Sequence, residues 1–156
     1  MSEENELRVL MEKIYCFERI LGRYQNISRS YGTSTLLYLS EVHMIETIGS
    51  NEPISAAELA KMKNTTPSAI SQLIKKLDSK KLLVRDNIKG NKKTIYIKLS
   101  REGRKIYKFY KKLNEKKYSG YLEKLPNLTE EDIVKMIKLM NIITEEFMEE
   151  IYVLDM

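Results

Sequence analysis

Two helix-start signals stand close together in the middle of this chain, and they constrain the fold more than any other feature. Ser55-Ala56-Ala57-Glu58 has the form of a capping box. The serine oxygen can accept a backbone N–H three residues on, and the glutamate can reach back. Thr66-Pro67 is the second signal. Threonine caps well, and proline at the first helical position loses no needed donor. The first helix is therefore short, from Ala56 to Met62, with Asn64 able to adopt the left-handed backbone that closes it. The second runs to about Lys80 and turns Ile70, Leu73, Ile74 and Leu77 inward.

A hairpin follows. Leu82 to Arg85 reads as a strand, and Asp86 to Lys93 is polar with Gly90-Asn91 as turn residues. Thr94 to Leu99 alternates, with Ile95, Ile97 and Leu99 on the buried side. Short helix, tight turn, longer helix and basic hairpin form the winged helix-turn-helix order. The fold class expected is mainly α with a small β-hairpin wing.

Long helices flank this lobe. A helix over about residues 4–30 carries Leu7, Leu10, Ile14, Phe17, Leu21, Tyr24 and Tyr31 on a seven-residue repeat, a stripe suited to packing on another helix. A second helix fits about 36–49, with Leu39, Val42, Ile45 and Ile48 on one face and Gly49 at its end. Ser100 caps a helix over about 101–124. After Leu125-Pro126-Asn127, Thr129 opens the last one, striped by Ile133, Ile137, Met140, Thr144, Phe147, Ile151 and Leu154.

Charge is distributed unevenly. Residues 61–112 hold 17 Lys/Arg against 3 Asp/Glu, whereas residues 123–156 hold 3 against 9. A basic middle suggests a polyanion-binding module. One cysteine excludes an internal disulfide and a cysteine-built zinc site. The acidic N-terminus lacks the pattern of a secretion signal, and no apolar run is long enough to span a bilayer, so a cytoplasmic location with no membrane partner is expected. One His, one Cys and no glycine-rich phosphate loop assemble no catalytic set, so no enzyme, catalytic residue or cofactor is expected.

The second helix of the motif carries the binding chemistry. Ser68, Ser71, Gln72 and Lys75 recur at i, i+3, i+4, i+7 opposite its apolar face, and none is acidic. Gln can bond adenine bidentately, and Ser and Lys can bond bases or phosphates. Thr66, Ala69 and Lys76 complete the candidate contact set on this helix. Lys89, Lys92 and Lys93 surround Gly90 at the wing tip and offer phosphate contacts. Arg85, at the strand end, either braces the wing or touches a phosphate. A solvated polar face is the plainer alternative, but such faces usually carry acids, and Asp78 is the only acid between Thr66 and Val84.

The sequence resembles the MarR family of regulators. The resemblance is carried by Ile54-Ser55-Ala56-Ala57-Glu58-Leu59-Ala60, by Thr66 through Leu77, by Lys81-Leu82-Leu83-Val84-Arg85, and by Ile97-Lys98-Leu99-Ser100-Arg101-Glu102-Gly103. It implies one MarR-like domain: dimerisation helices over about 1–34 and 101–156, and a DNA-binding lobe over about 35–100. It also implies a homodimer, through helices about 4–30 and 129–154, on a palindromic operator in double-stranded DNA. Family members mostly repress, and many release DNA when a small-molecule effector or oxidant acts. The family's wing usually carries Asp, one residue, then Arg; here those positions are Asn91 and Lys93, and Lys lacks the planar fork of Arg.

Switch residues are sparse. Cys16 lies where peroxide-sensing relatives keep a reactive Cys, which would make the chain a redox sensor, but Val42 stands where they place a Tyr that holds the thiol. A small buried residue is the simpler reading of Cys16. His43 is the only histidine, with Phe109, Tyr110 and Asn114 where zinc-sensing relatives have further ligands, so no metal site is expected. Tyr15, Tyr24, Tyr31, Tyr38, Tyr107 and Tyr110 could line an effector pocket or simply pack helix junctions. Of these, Tyr15, Tyr24 and Tyr38, with Cys16 and His43, are the effector candidates. A winged-helix protein-interaction module without a DNA role is the remaining alternative.

Overall fold

A computed structural model describes residues 2–86 and 94–154. Its elements, in chain order, are α1 (Glu3–Gln25), β1 (Arg29–Ser30), β2 (Leu36–Leu37), α2 (Leu39–Asn51), β3 (Ile54–Ser55), α3 (Ala56–Met62), α4 (Pro67–Ser79), β4 (Leu83–Asp86), β5 (Tyr96–Leu99), α5 (Arg101–Lys124) and α6 (Glu130–Leu154). The chain divides into two compact units, Met1–Leu113 and Asn114–Met156.

The first unit is built on α2. Leu39, Val42, Ile45 and Ile48 are all buried, as their spacing requires. They meet Leu59 of α3, Ile70, Ile74 and Leu77 of α4, Leu82, Ile97, Leu99, and Ile106 of α5 in one core. Each fully buried aliphatic side chain contributes about 2 kcal/mol of apolar transfer. The helix passes Gly49 and ends at Asn51, two residues beyond the expected stop. Gly49 serves close packing instead of termination: a Cβ there would lie 2.6 Å from the Tyr107 ring and 2.8 Å from Leu99.

α1 stops earlier than its stripe suggests, at Gln25 instead of about residue 30. Asn26 closes it by donating its side-chain amide to the Gly22 carbonyl at 3.0 Å. Arg29 then stacks 3.5 Å over the Tyr24 ring and donates to the Tyr24 carbonyl at 3.2 Å. β1 turns back on β2, pairing Arg29 with Leu37 and Ser30 with Leu36. Tyr31 leaves the stripe and enters the core, 3% exposed, edge-on to Tyr110 at 5.5 Å. Burial raises the Tyr31 hydroxyl above its ordinary value, and the neighbouring Arg29 guanidinium partly offsets this.

The three-stranded sheet has the order β3-β5-β4, all antiparallel. β4 begins at Leu83, one residue later than expected, because Lys81 adopts a positive φ of 57° and Leu82 goes to the core. Ile97 and Leu99 point inward as their alternation requires. Ile95 does not: it is 49% exposed. β3 reaches only Tyr96 and Ile97, so the strand has outrun the core at Ile95.

The second unit comprises the C-terminal part of α5 and the whole of α6. The Thr129 hydroxyl accepts the Asp132 N–H at 3.1 Å, and Asp132 accepts the Thr129 N–H at 3.0 Å. The Thr129 hydroxyl also donates to the Asp132 carboxylate at 2.6 Å, and this bond, with that from the Thr129 N–H, holds the carboxyl below the usual carboxylate value. Along α6, Ile133, Ile137, Met140, Phe147, Ile151 and Leu154 are each exposed. No helix among the described residues is long and apolar enough to cross a membrane.

Candidate nucleic-acid interface

The short helix–turn–helix is held by the contacts its sequence announces. Ser55 Oγ accepts the Glu58 N–H at 3.3 Å, and Glu58 accepts both the Ser55 N–H at 2.8 Å and the Ser55 hydroxyl at 2.7 Å. Asn64 takes a φ of 47° in the turn. Thr66 Oγ1 then accepts the Ala69 N–H at 3.2 Å, and Pro67 opens α4.

Burial of Ile70, Ile74 and Leu77 fixes which way α4 faces; Leu73 packs half-buried beside them. The helix therefore presents Ser68, Ser71, Gln72, Lys75 and Lys76 to solvent, with Thr66 exposed at its start and Ala69 half-buried. The spacing thus places the candidate contacts on one side. Asp78 does not interrupt this surface, because Arg85 Nη2 donates to Asp78 Oδ2 and ties β4 to α4. The structure thus gives Arg85 its bracing role. A cleft of about 260 Å³ opens between α4 and the wing strands, lined by Ser71, Lys75 and Arg85 over Ile74, Ile95 and Ile97.

Two cations that the spacing did not single out also stand here. Lys61 and Lys63 are exposed at the end of α3 and in the turn into α4. Their signal was their place in the basic stretch, not a periodicity. Lys80, by contrast, is withdrawn from the surface: its ammonium donates to the Leu36 carbonyl at 2.9 Å and to both Glu41 oxygens at 2.7 and 2.8 Å. Lys89, Lys92 and Lys93, with Asn91, lie outside the described residues.

The switch candidates stand in different surroundings. Tyr15 and Tyr38 are exposed, and Tyr24 lies under Arg29. Cys16 is half-buried on α1, beside Tyr15 in sequence. His43 stacks obliquely on Tyr110 at 5.8 Å. Val42 is fully buried and offers a neighbouring thiol no hydroxyl. Among the described residues no group of three or more His, Cys, Asp or Glu side chains could hold a metal ion.

Known proteins place this architecture. Residues 37–95 match the model of the MarR family. The uncharacterized HTH-type transcriptional regulator YhjH of Bacillus subtilis is 31% identical over 104 residues, which are 67% of this chain and 59% of that protein. The chain spans about three fifths of the length of the curated relatives it matches. Among solved structures, FabT of Streptococcus pneumoniae in complex with DNA superposes with a TM-score of 0.67 at 18% identity, covering 94% of this chain and 99% of that one. The zinc-responsive MarR family member ZitR of Lactococcus lactis gives 0.66 at 19%, with the same coverage. These likenesses show a shared fold. The matched segment runs from β2 through β4 to Ile95, just before β5, and with the capped helix pair and the β3-β5-β4 sheet it gives this chain a winged helix of the MarR family type.

Proposed function

We propose that this protein is a sequence-specific, double-stranded DNA-binding transcriptional regulator that acts as a homodimer on a palindromic operator and represses. The observation that carries the reading is the solvent face of α4. Ser68, Ser71, Gln72 and Lys75 project from it, and its one acid, Asp78, is engaged by Arg85. A helix of this chemistry fits the major groove, where Gln and Lys can read adenine and guanine and Ser can take either base or phosphate. Lys61, Lys63 and the lysines of the wing would contact the flanking backbone. The DNA complex of the structurally similar FabT supports this reading by analogy of fold.

Dimerisation is supported by the apolar rows on α1 (Leu7, Leu10, Phe17) and on α6, all solvent-exposed in the single chain. Residues about 1–34 and 101–156 would form the dimer, and about 35–100 the DNA-binding lobe. Release by a small-molecule effector belongs to the same reading and is tested by screening ligands against a preformed complex.

The decisive experiment selects genomic fragments with the purified protein and titrates a selected duplex over a salt series. Affinity should fall steeply between about 50 and 200 mM salt, as phosphate contacts release counterions. Gln72→Ala combined with Lys75→Ala should weaken binding about 100-fold at unchanged helicity, each lost base contact costing about 1–3 kcal/mol. A flat salt response with no duplex preference would overturn the reading.

A further inference from the structure

We propose that Glu41 and Glu52, at opposite ends of α2, are positioning residues that fix the spacing between α4 and the wing strand β5, and with it the fit of both to one duplex. The inference rests on the DNA-binding reading for its functional consequence, and on geometry alone for the spacing.

Glu41 sits in the first turn of α2 and is 2% exposed. One of its oxygens also accepts the Tyr38 N–H at 2.8 Å, so the carboxylate is held from its own helix end. Its partner, Lys80, is the residue that closes α4. An ammonium has three protons. Here they have acceptors at Leu36 and at both Glu41 oxygens. The C-terminus of α4 is thereby pinned to the N-terminus of α2.

Glu52 closes the other end of α2. The β3–β5 register pairs Ile54 with Ile97 and Ser55 with Tyr96. Continued by two positions, it sets Glu52 opposite Leu99. There the Glu52 side chain accepts the Leu99 N–H at 2.7 Å, and its other oxygen pairs with Arg104 of α5. The carboxylate thus joins α2 to the wing's return strand and to the helix that follows it.

Eleven positions along α2, roughly 16 Å at about 1.5 Å each, separate the backbones of Glu41 and Glu52. α2 is therefore a rigid spacer with a charged clamp at each end, one on the recognition helix and one on the wing. Buried ion pairs add little net stability over apolar replacements, because desolvation offsets attraction. What they supply is direction: each of these bonds is satisfied in one relative placement of its partners. A binding site needs its parts held to within about 0.5 Å.

The test uses paired substitutions in the full chain, Glu41→Gln with Lys80→Met and Glu52→Gln with Arg104→Met. Each pair removes one positive and one negative charge, so net charge is unchanged and no buried charge is stranded. Expected are a wild-type slope of log affinity against log salt, a melting temperature within a few degrees of wild type, and duplex binding at least tenfold weaker. The charge-keeping variants Lys80→Arg and Arg104→Lys should retain most of the affinity. Doubles that bind as wild type, or a shallower salt slope, would overturn the proposal; the second outcome would mean that a phosphate contact had been lost instead.

A DNA-free arm separates this inference from the reading beneath it. Spin labels at Lys76→Cys and Ile95→Cys, in a Cys16→Ser background, report the distance from α4 to the wing. The doubles should broaden or shift that distribution. Should the wild type bind no duplex, the DNA reading fails and the label distances alone decide the clamp; an unchanged distribution refutes it.

Discussion

Arg85 of β4 and Asp78 of α4 form an ion pair across the seam between wing and recognition helix. The pair does two things. It anchors the first wing strand, and it masks the only acidic side chain between Thr66 and Val84. Asp78→Asn should therefore free the Arg85 guanidinium and remove one negative charge from the DNA face. Duplex binding should tighten several-fold, with a steeper salt slope. The stability cost should stay below about 1 kcal/mol, because both partners are partly exposed. Polarisation titrations and urea melts would check both halves.

Gly103 is irreplaceable for a packing reason. A Cβ on it would lie 2.3 Å from the Leu82 carbonyl oxygen, which is backbone and which also accepts the Ser100 N–H. Alanine improves helix propensity by about 1 kcal/mol. The overpacking it forces costs about 1–3 kcal/mol. Because the obstacle is backbone, the upper end applies, and Gly103→Ala should lower stability by about 2 kcal/mol net in a denaturant titration.

Gly32 offers a second test, with a different cause. Its φ of 74° favours glycine, and an added Cβ would also meet the Phe109 ring at 2.7 Å. Gly32→Ala should destabilise by about 1–3 kcal/mol. Combining it with Phe109→Ala should recover only the steric part, which a double-mutant cycle would measure.

The Ser55–Glu58 box gives a pH signature. Hydrogen bonds from the Ser55 hydroxyl and N–H hold the Glu58 carboxyl below its usual value. Its folded value is thus lower than its unfolded one. The contribution to stability is present above about pH 4.3 and is lost as pH falls through the lower folded value. Glu58→Gln should flatten that acid limb and leave the neutral-pH salt dependence of stability nearly unchanged. Thermal melts from pH 3 to 7 would show a steeper acid loss in wild type than in the variant.

Much of the lobe was legible in the chain because its signals are local. The box at Ser55 and Glu58, the cap at Thr66, the left-handed Asn64 and the i, i+3, i+4, i+7 face of α4 depend on residues a few positions apart. The same holds for Arg101–Lys124, whose boundaries follow from Ser100 and the Leu125-Pro126 break. Failures came where distant residues decide. Tyr31 fits the α1 stripe by number, yet the helix ends at Gln25 and the ring is buried in the core against Tyr110. Ile95 fits the alternation, yet it precedes β5 and lines the open cleft beside α4 instead of the core. Gly49 looks like a stop, yet it is a place where Tyr107 and Leu99 come close.

Read alone, the chain places the starts of α3, α4, α5 and α6, the buried face of each lobe helix and the acid-poor face of α4; it misses the start of α2, expected near residue 36, because Leu36–Leu37 pair with Arg29–Ser30 as a strand. Backbone capping and apolar periodicity are set within a turn or two. Only the tertiary structure decided which charges that surface keeps. Lys80 and Arg104 are matched by Glu41 and Glu52, and Arg85 by Asp78. Those pairs span 39, 52 and 7 residues of chain. A charge's availability to a partner depends on what stands within about 4 Å of it in space, which no spacing in the sequence records.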